Sequence, residues 1–137
     1  MNLELTCIHE VKLPSVPASI SEVEQLIEKA CSELNVSEDL FGNILISVTE
    51  GVNNAIIHGN GGDSTLFVMV SVLHNDSFIC FKIKDQGSGF DPDAIPDPTA
   101  PENLLKENGR GVFLMRSLSD DLLFEEGGSV VTICFKR

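Results

Sequence analysis

Apolar and polar positions alternate over residues 3–13, with Leu3, Leu5, Cys7, Val11 and Leu13 on one parity. That period of two predicts a half-buried strand, which Pro14 and Pro17 bring to an end. From Ser19 or Ser21 to about Leu34 the period becomes helical, carried by Ile20, Val23, Leu26, Ile27, Ala30 and Leu34. Ser21 and Glu24 there resemble a capping box. A second helix is predicted from Ser37, where Glu38 and Asp39 suit the positive end of the helix dipole. It should run to about His58, before Gly59-Asn60-Gly61-Gly62 stops it. Thr65 to His74 and Ser77 to Asp85 read as a hairpin around Asn75-Asp76, and a last pair, roughly 121–126 and 129–136, turns at Gly127-Gly128. The order βααββ, a loop, a helix, then ββ implies an α+β fold: a two-layer sandwich with a mixed, mostly antiparallel sheet and helices on one face.

Residues 90–108 interrupt this pattern. They hold four of the six prolines (Pro92, Pro96, Pro98, Pro101) and no strand period. A connection this long inside a compact domain is usually disordered or functional. Its place between two glycine motifs favours a lid, and the rest of residues 1–137 reads as one domain without repeats.

Composition narrows the function. Nine basic against 21 acidic residues leave a net charge of −12. Nucleic-acid binding is therefore not expected, because it needs basic side chains to displace phosphate counterions. Trp and Tyr are absent, and none of the eight Phe lies in a basic run, so base stacking has little to work with. No uninterrupted apolar run approaches the roughly 20 residues that cross a bilayer, so no membrane partner is expected. Cys7, Cys31, Cys80 and Cys134 have neither a C-x-x-C pair nor a histidine at metal spacing. They read as four small buried hydrophobes in a reduced, cytoplasmic protein.

Three motifs carry the candidate chemistry. Glu50, Asn54 and His58 are four residues apart on the second helix, so regular geometry places them on one stripe. Such a stripe can equally be a solvated face, although Ile46 and Ile57 beside it are unusual company for one. Asp85-Gln86-Gly87-Ser88-Gly89 follows an apolar strand. A carboxylate there can accept a hydrogen bond from an exocyclic amine, and the glycines allow close approach; a plain Asp/Gly turn would look the same. Neither a Walker A loop nor a dinucleotide fingerprint fits this spacing. Gly109-Arg110-Gly111 precedes the helical pattern starting at Val112. Free N–H groups at a helix start can hold phosphate, and Arg110 can assist; a solvated arginine between ordinary loop glycines would look the same.

In this order and on these elements, the three motifs resemble the histidine-kinase-like ATPase superfamily with its Bergerat nucleotide-binding fold. Glu50 to Asn60 looks like the N box, Asp85 to Phe90 like the first glycine box, and Gly109 to Met115 like the second. The proline-bearing stretch lies where that superfamily has its ATP lid. Within it, T-E-x-x-N-N-A-I-I-H-G-N at Thr49 to Asn60 and G-R-G-V-F-L-M-R-S-L-S-D at Gly109 to Asp120 are similar to the anti-sigma-factor serine/threonine kinases. Val112 and Phe113 stand where many ATPases of the wider superfamily carry a further glycine.

The resemblance implies ATP and Mg²⁺ as cofactors. Asp85 would bind the adenine amino group, with Gly87 and Gly89 beside base and ribose. Asn54 would coordinate Mg²⁺, and Glu50 would be the general base. Gly109, Arg110, Gly111 and the lid would hold the phosphates, while His58 would touch phosphate or lid, or merely cap its helix. The implied function is an anti-sigma factor that phosphorylates an anti-sigma-factor antagonist protein on Ser or Thr and sequesters a sigma factor; homodimerisation comes with the family. The alternative is a nucleotide-gated protein-binding switch that binds ATP without phosphotransfer.

Overall fold

The computed structural model describes residues 4–87 and 107–137, the first three of the second stretch by backbone alone. In chain order the elements are β1 (Thr6–Pro14), α1 (Ser19–Glu33), α2 (Glu38–Asn54), a π-helical turn (Ala55–Gly59), β2 (Phe67–His74), β3 (Phe78–Lys84), α3 (Glu107–Leu118), β4 (Asp121–Glu125), a 3₁₀ turn (Glu126–Gly128) and β5 (Val130–Lys136). The strands form one sheet in the order β1-β2-β3-β5-β4, and every neighbouring pair is antiparallel.

Alternation along the strands decides which face is covered. Val68, Val70 and Val72 of β2, Ile79, Phe81 and Ile83 of β3, and Ile133 and Phe135 of β5 are buried in the core. Phe81 and Phe135 meet edge-to-face with centroids 6.5 Å apart. Against this face pack Val23, Ile27 and Ala30 of α1 and Ile44, Val48 and Val52 of α2, all fully buried. Each such Val or Ile contributes roughly 1.5–3 kcal/mol by leaving water. The stretch Glu38–Gly59 is, at 22 residues and a mean hydropathy of 1.2 in its best window, long and apolar enough to cross a membrane by those two measures. Its apolar side is spent on the sheet instead. This is the two-layer α+β architecture that the order of elements implies.

Local chemistry explains where elements start and stop. Ser37 caps α2, its Oγ accepting the Leu40 N–H at 3.2 Å, and Glu38 and Asp39 fill the first turn. In the β2–β3 hairpin, Asn75 Oδ1 accepts the N–H groups of Ser77 and Phe78 at 2.8 and 2.7 Å.

Several expectations are corrected. The first strand does not keep one parity: a bulge between Cys7 and His9 leaves Cys7 exposed and turns Ile8 toward the core. Ser21 and Glu24 do not cap α1, because the helix starts two residues earlier at Ser19, whose Oγ donates to the Pro14 carbonyl at 2.8 Å. α3 also starts earlier, so Gly109-Arg110-Gly111 lies inside its first turns rather than ahead of them. The cysteines are not four separate hydrophobes. Cys80 and Cys134 stand directly opposite across β3 and β5, with Cα atoms 4.1 Å apart, and are joined as a disulfide, whereas Cys31 is buried and free. Gly89, Ser88 and most of the lid stretch 90–108 lie outside the described residues.

Candidate functional site

α2 is regular through Asn54 and then widens. In the π turn the Asn60 N–H reaches back five residues to the Ala55 carbonyl at 2.8 Å, and the Gly62 N–H reaches the Ile56 carbonyl at 2.8 Å. Gly61 and Gly62 then take φ of +63° and +70°, which ends the helix. The wider turn breaks the i, i+4 stripe after its second member. Glu50 and Asn54 remain one above the other on α2, while His58 and Ile57 are exposed on the turn.

α3 closes over the Glu50–Asn54 pair. A Cβ on Gly111 would lie 3.0 Å from Glu50 Oε2 and 3.3 Å from Asn54 Nδ2, so the backbone of α3 approaches both side chains closely enough that a larger residue would have to displace them. Asn54 is 3% exposed, and its Nδ2 has no hydrogen-bond partner among the described residues. A buried amide left unpaired costs about 1–3 kcal/mol, and such a group in a folded protein calls for a partner. Arg110 is exposed beside this contact, and Gly109 contributes its backbone to the first turn of α3.

Asp85 stands where β3 ends. It is 4% exposed, its backbone N–H donates to the Ser129 carbonyl at 2.9 Å, and its Oδ1 accepts the Gly87 N–H at 3.0 Å. The turn that follows fits tightly beneath the π turn. A Cβ on Gly59 would fall on the Asp85 carboxylate, and a Cβ on Gly87 would fall on the Gly59 carbonyl oxygen. Gly87 is thus a glycine because two backbones touch there, a reason independent of any ligand.

Burial raises the Asp85 pKa above its ordinary 3.8, opposed in part by the Gly87 N–H bond. The folded chain therefore holds this proton more tightly than the unfolded chain does. The stabilisation that results is complete below the ordinary value and is lost as pH rises through the raised one. Asp85→Asn removes that loss. In thermal melts from acid to neutral pH, the variant should match the wild type at the acid end and melt a few degrees higher at neutral pH. Parallel curves at every pH would contradict the assignment of cause.

Sequence reasoning placed Glu50, Asn54, Asp85 and Gly87 on the elements where they are found, and Gly111 just ahead of the helix that contains it. It gave no role to Gly59 or Asn60, which it took for a helix stop. The one available signal was a polar residue between glycines at a helix end, which any solvated turn also presents.

Among the described residues no cluster of three or more His, Cys, Asp or Glu could hold a metal ion by itself. An ion held by few protein oxygens and completed by phosphates and water, as Mg²⁺ usually is, matches the chemistry of Asn54 beside Glu50. The unpaired Nδ2 is a donor and fits a bound acceptor, such as a phosphate oxygen or a metal-bound water, beside the Oδ1 that could hold the ion.

A two-layer sandwich whose helical layer carries a carboxylate and a buried amide against a glycine of the next helix, with a buried Asp at a strand end, is the architecture of a histidine kinase-like ATPase domain. Residues 13–135 match that family, and the chain belongs to it. Within the family it is similar to the serine-protein kinase RsbW of Staphylococcus epidermidis, 29% identical over 133 residues that cover 90% of this chain and 83% of that one. It is also similar to the anti-sigma F factor of Geobacillus stearothermophilus, 32% identical over 111 residues covering 77% and 75%. The RsbW of Oceanobacillus iheyensis is 24% identical over 119 residues, covering 82% and 75%. The chain is a distant member of the anti-sigma-factor kinase group.

Proposed function

We propose that the protein is an ATP-dependent serine/threonine-protein kinase that acts as an anti-sigma factor, phosphorylating an antagonist protein and sequestering a sigma factor. The observation that carries the reading is the convergence of Glu50 and the unpaired, buried Asn54 amide on the backbone of Gly111. The unpaired Nδ2 is a donor that suits a phosphate oxygen or a metal-bound water, and the Oδ1 of the same amide is the atom that can hold a nucleotide-bound cation.

In this reading Asp85 accepts a hydrogen bond from the adenine amino group, and Gly87 and Gly89 border the base. Asn54 holds Mg²⁺, which when bound neutralises charge on the phosphate oxygens. Gly109, Arg110 and Gly111, in the first turns of α3, face the phosphates. In this reading His58, exposed on the π turn, contacts the phosphates or the lid. Glu50 takes the proton of the acceptor hydroxyl as its oxygen bonds to the γ-phosphorus. The bond between that phosphorus and the β–γ bridging oxygen breaks, and ADP leaves. Such transfer is mostly positioning and charge neutralisation, so one carboxylate and one metal ligand are a sufficient protein contribution.

The acidic chain suits a basic patch on its partner. A cytoplasmic location and action on transcription follow from the same reading. Incubation with Mg-ATP and an antagonist protein that co-purifies with this chain should give phosphoserine or phosphothreonine on that protein, read by mass spectrometry. ATP binding without any phosphorylated residue would leave the nucleotide-gated binding switch in its place.

A further inference from the structure

The Asn60 side chain ties four chain segments together. It is 4% exposed, yet each of its polar atoms is used. Its Nδ2 donates to Ser15 Oγ at 2.8 Å and to the Phe67 carbonyl at 3.0 Å, and its Oδ1 accepts the Gln86 N–H at 2.8 Å. Because Gln86 offers a backbone donor and Phe67 a backbone acceptor, the amide has one orientation that satisfies both. Ser15 Oγ in turn donates to the Leu66 carbonyl at 2.9 Å, and Gln86 Oε1 accepts the Phe67 N–H. The network is closed and its centre, Asn60 with Ser15, is buried, the condition under which hydrogen bonds hold geometry best.

The position of this network matters because of what it neighbours. β3 ends before Asp85, whose N–H still bonds to Ser129 just ahead of β5, and one residue later the chain is held by Asn60 instead. The Asp85 carboxylate is therefore fixed from both sides of its own peptide. Among the described residues, the hydrogen bond that the Asp85 carboxylate accepts comes from the Gly87 N–H, two residues further along the same tethered turn.

We infer that Asn60 is a positioning residue for nucleobase discrimination: by holding Gln86 it aims the Asp85 carboxylate at the exocyclic amine of the base. This rests on the reading of Asp85 as the adenine ligand. Asn60 touches no substrate in this account and acts only through the turn.

ATP and ITP separate the two roles, since ITP carries a carbonyl in place of the amine. A buried acceptor left unpaired is costly, so the wild type should bind ATP at least about 100-fold tighter than ITP by calorimetry. Asn60→Ala should bring that ratio below about tenfold by weakening ATP, with ITP affinity changed less than about threefold. A purely structural role would weaken both nucleotides together and overturn the inference. Should Asn60→Ala fail to fold, Ser15→Ala removes one Asn60 partner at small cost and should lower the ratio about threefold or more; an unchanged ratio there overturns it. Asp85→Asn is the reference. A flat ratio in the Asn60 and Ser15 variants with a collapsed one in Asp85→Asn refutes the role of Asn60 alone, whereas a flat ratio in all three removes the adenine reading and this inference with it.

Discussion

Glu50→Gln should lower phosphotransfer to the antagonist by about 10²–10⁴-fold, the usual contribution of a positioned general base, while ATP affinity stays within about threefold. The substitution keeps the shape of the side chain and its place one turn before Asn54, so the contact with Gly111 survives. What is lost is the capacity to take a proton. Because Asp85, Asn54 and the α3 start are untouched, binding should report an intact site and the rate a missing step. Single-turnover transfer measured by phosphopeptide mass spectrometry, beside calorimetry with ATP, reads both. Equal transfer by the variant would remove Glu50 from the chemistry and favour another acceptor of the proton. Loss of binding along with transfer would instead make Glu50 part of the nucleotide cradle.

Gly87→Ala should abolish nucleotide binding in practical terms, weakening ATP at least about 100-fold, which is roughly 2.7 kcal/mol, and should lower the melting temperature as well. The added Cβ would fall on the Gly59 carbonyl oxygen and within 3.2 Å of the Asn60 nitrogen. Both obstacles are backbone, so no rotamer change relieves them. Overpacking of this kind costs about 1–3 kcal/mol or more, and here the relief available is to push Gln86 off Asn60 and Asp85 off its direction. Gly42→Ala is the contrast. Gly42 lies within α2 with nothing within 4 Å of its would-be Cβ, and alanine there should stabilise the fold by about 0.5–1 kcal/mol with ATP binding unchanged. If both variants melt and bind alike, the close approach beneath the π turn is not what demands glycine at position 87.

Much of the site could be read along the chain because its parts are local. Glu50 and Asn54 share a face since an α-helix fixes that relation through its own hydrogen bonds, whatever the helix packs on. The same rule misplaced His58, because the i to i+5 bond from Asn60 to Ala55 changes the angle per residue, and no residue type announces it. The capping box at Ser21 failed for a related reason: Ser19 found a partner in Pro14, outside the helix. Asn60 was missed because its partners at positions 15, 67 and 86 are far apart in sequence. Cys80 and Cys134 were read as unrelated, being 54 residues apart, until the β3–β5 register put them opposite.

From its residues alone this chain determines its elements, the apolar face of each, the Ser37 start of the central helix, and the identity of the three motifs. Periodicity and turn chemistry act over a few residues, so they can be read without a fold. The tertiary structure alone decides that Gly111 lies over Glu50 and Asn54, that the Gly59 carbonyl claims the space at Gly87, and that Asn60 holds the turn carrying Asp85. Those are contacts between segments remote in sequence, and packing density, which no local pattern encodes, sets which of them must be glycine and which must be an amide.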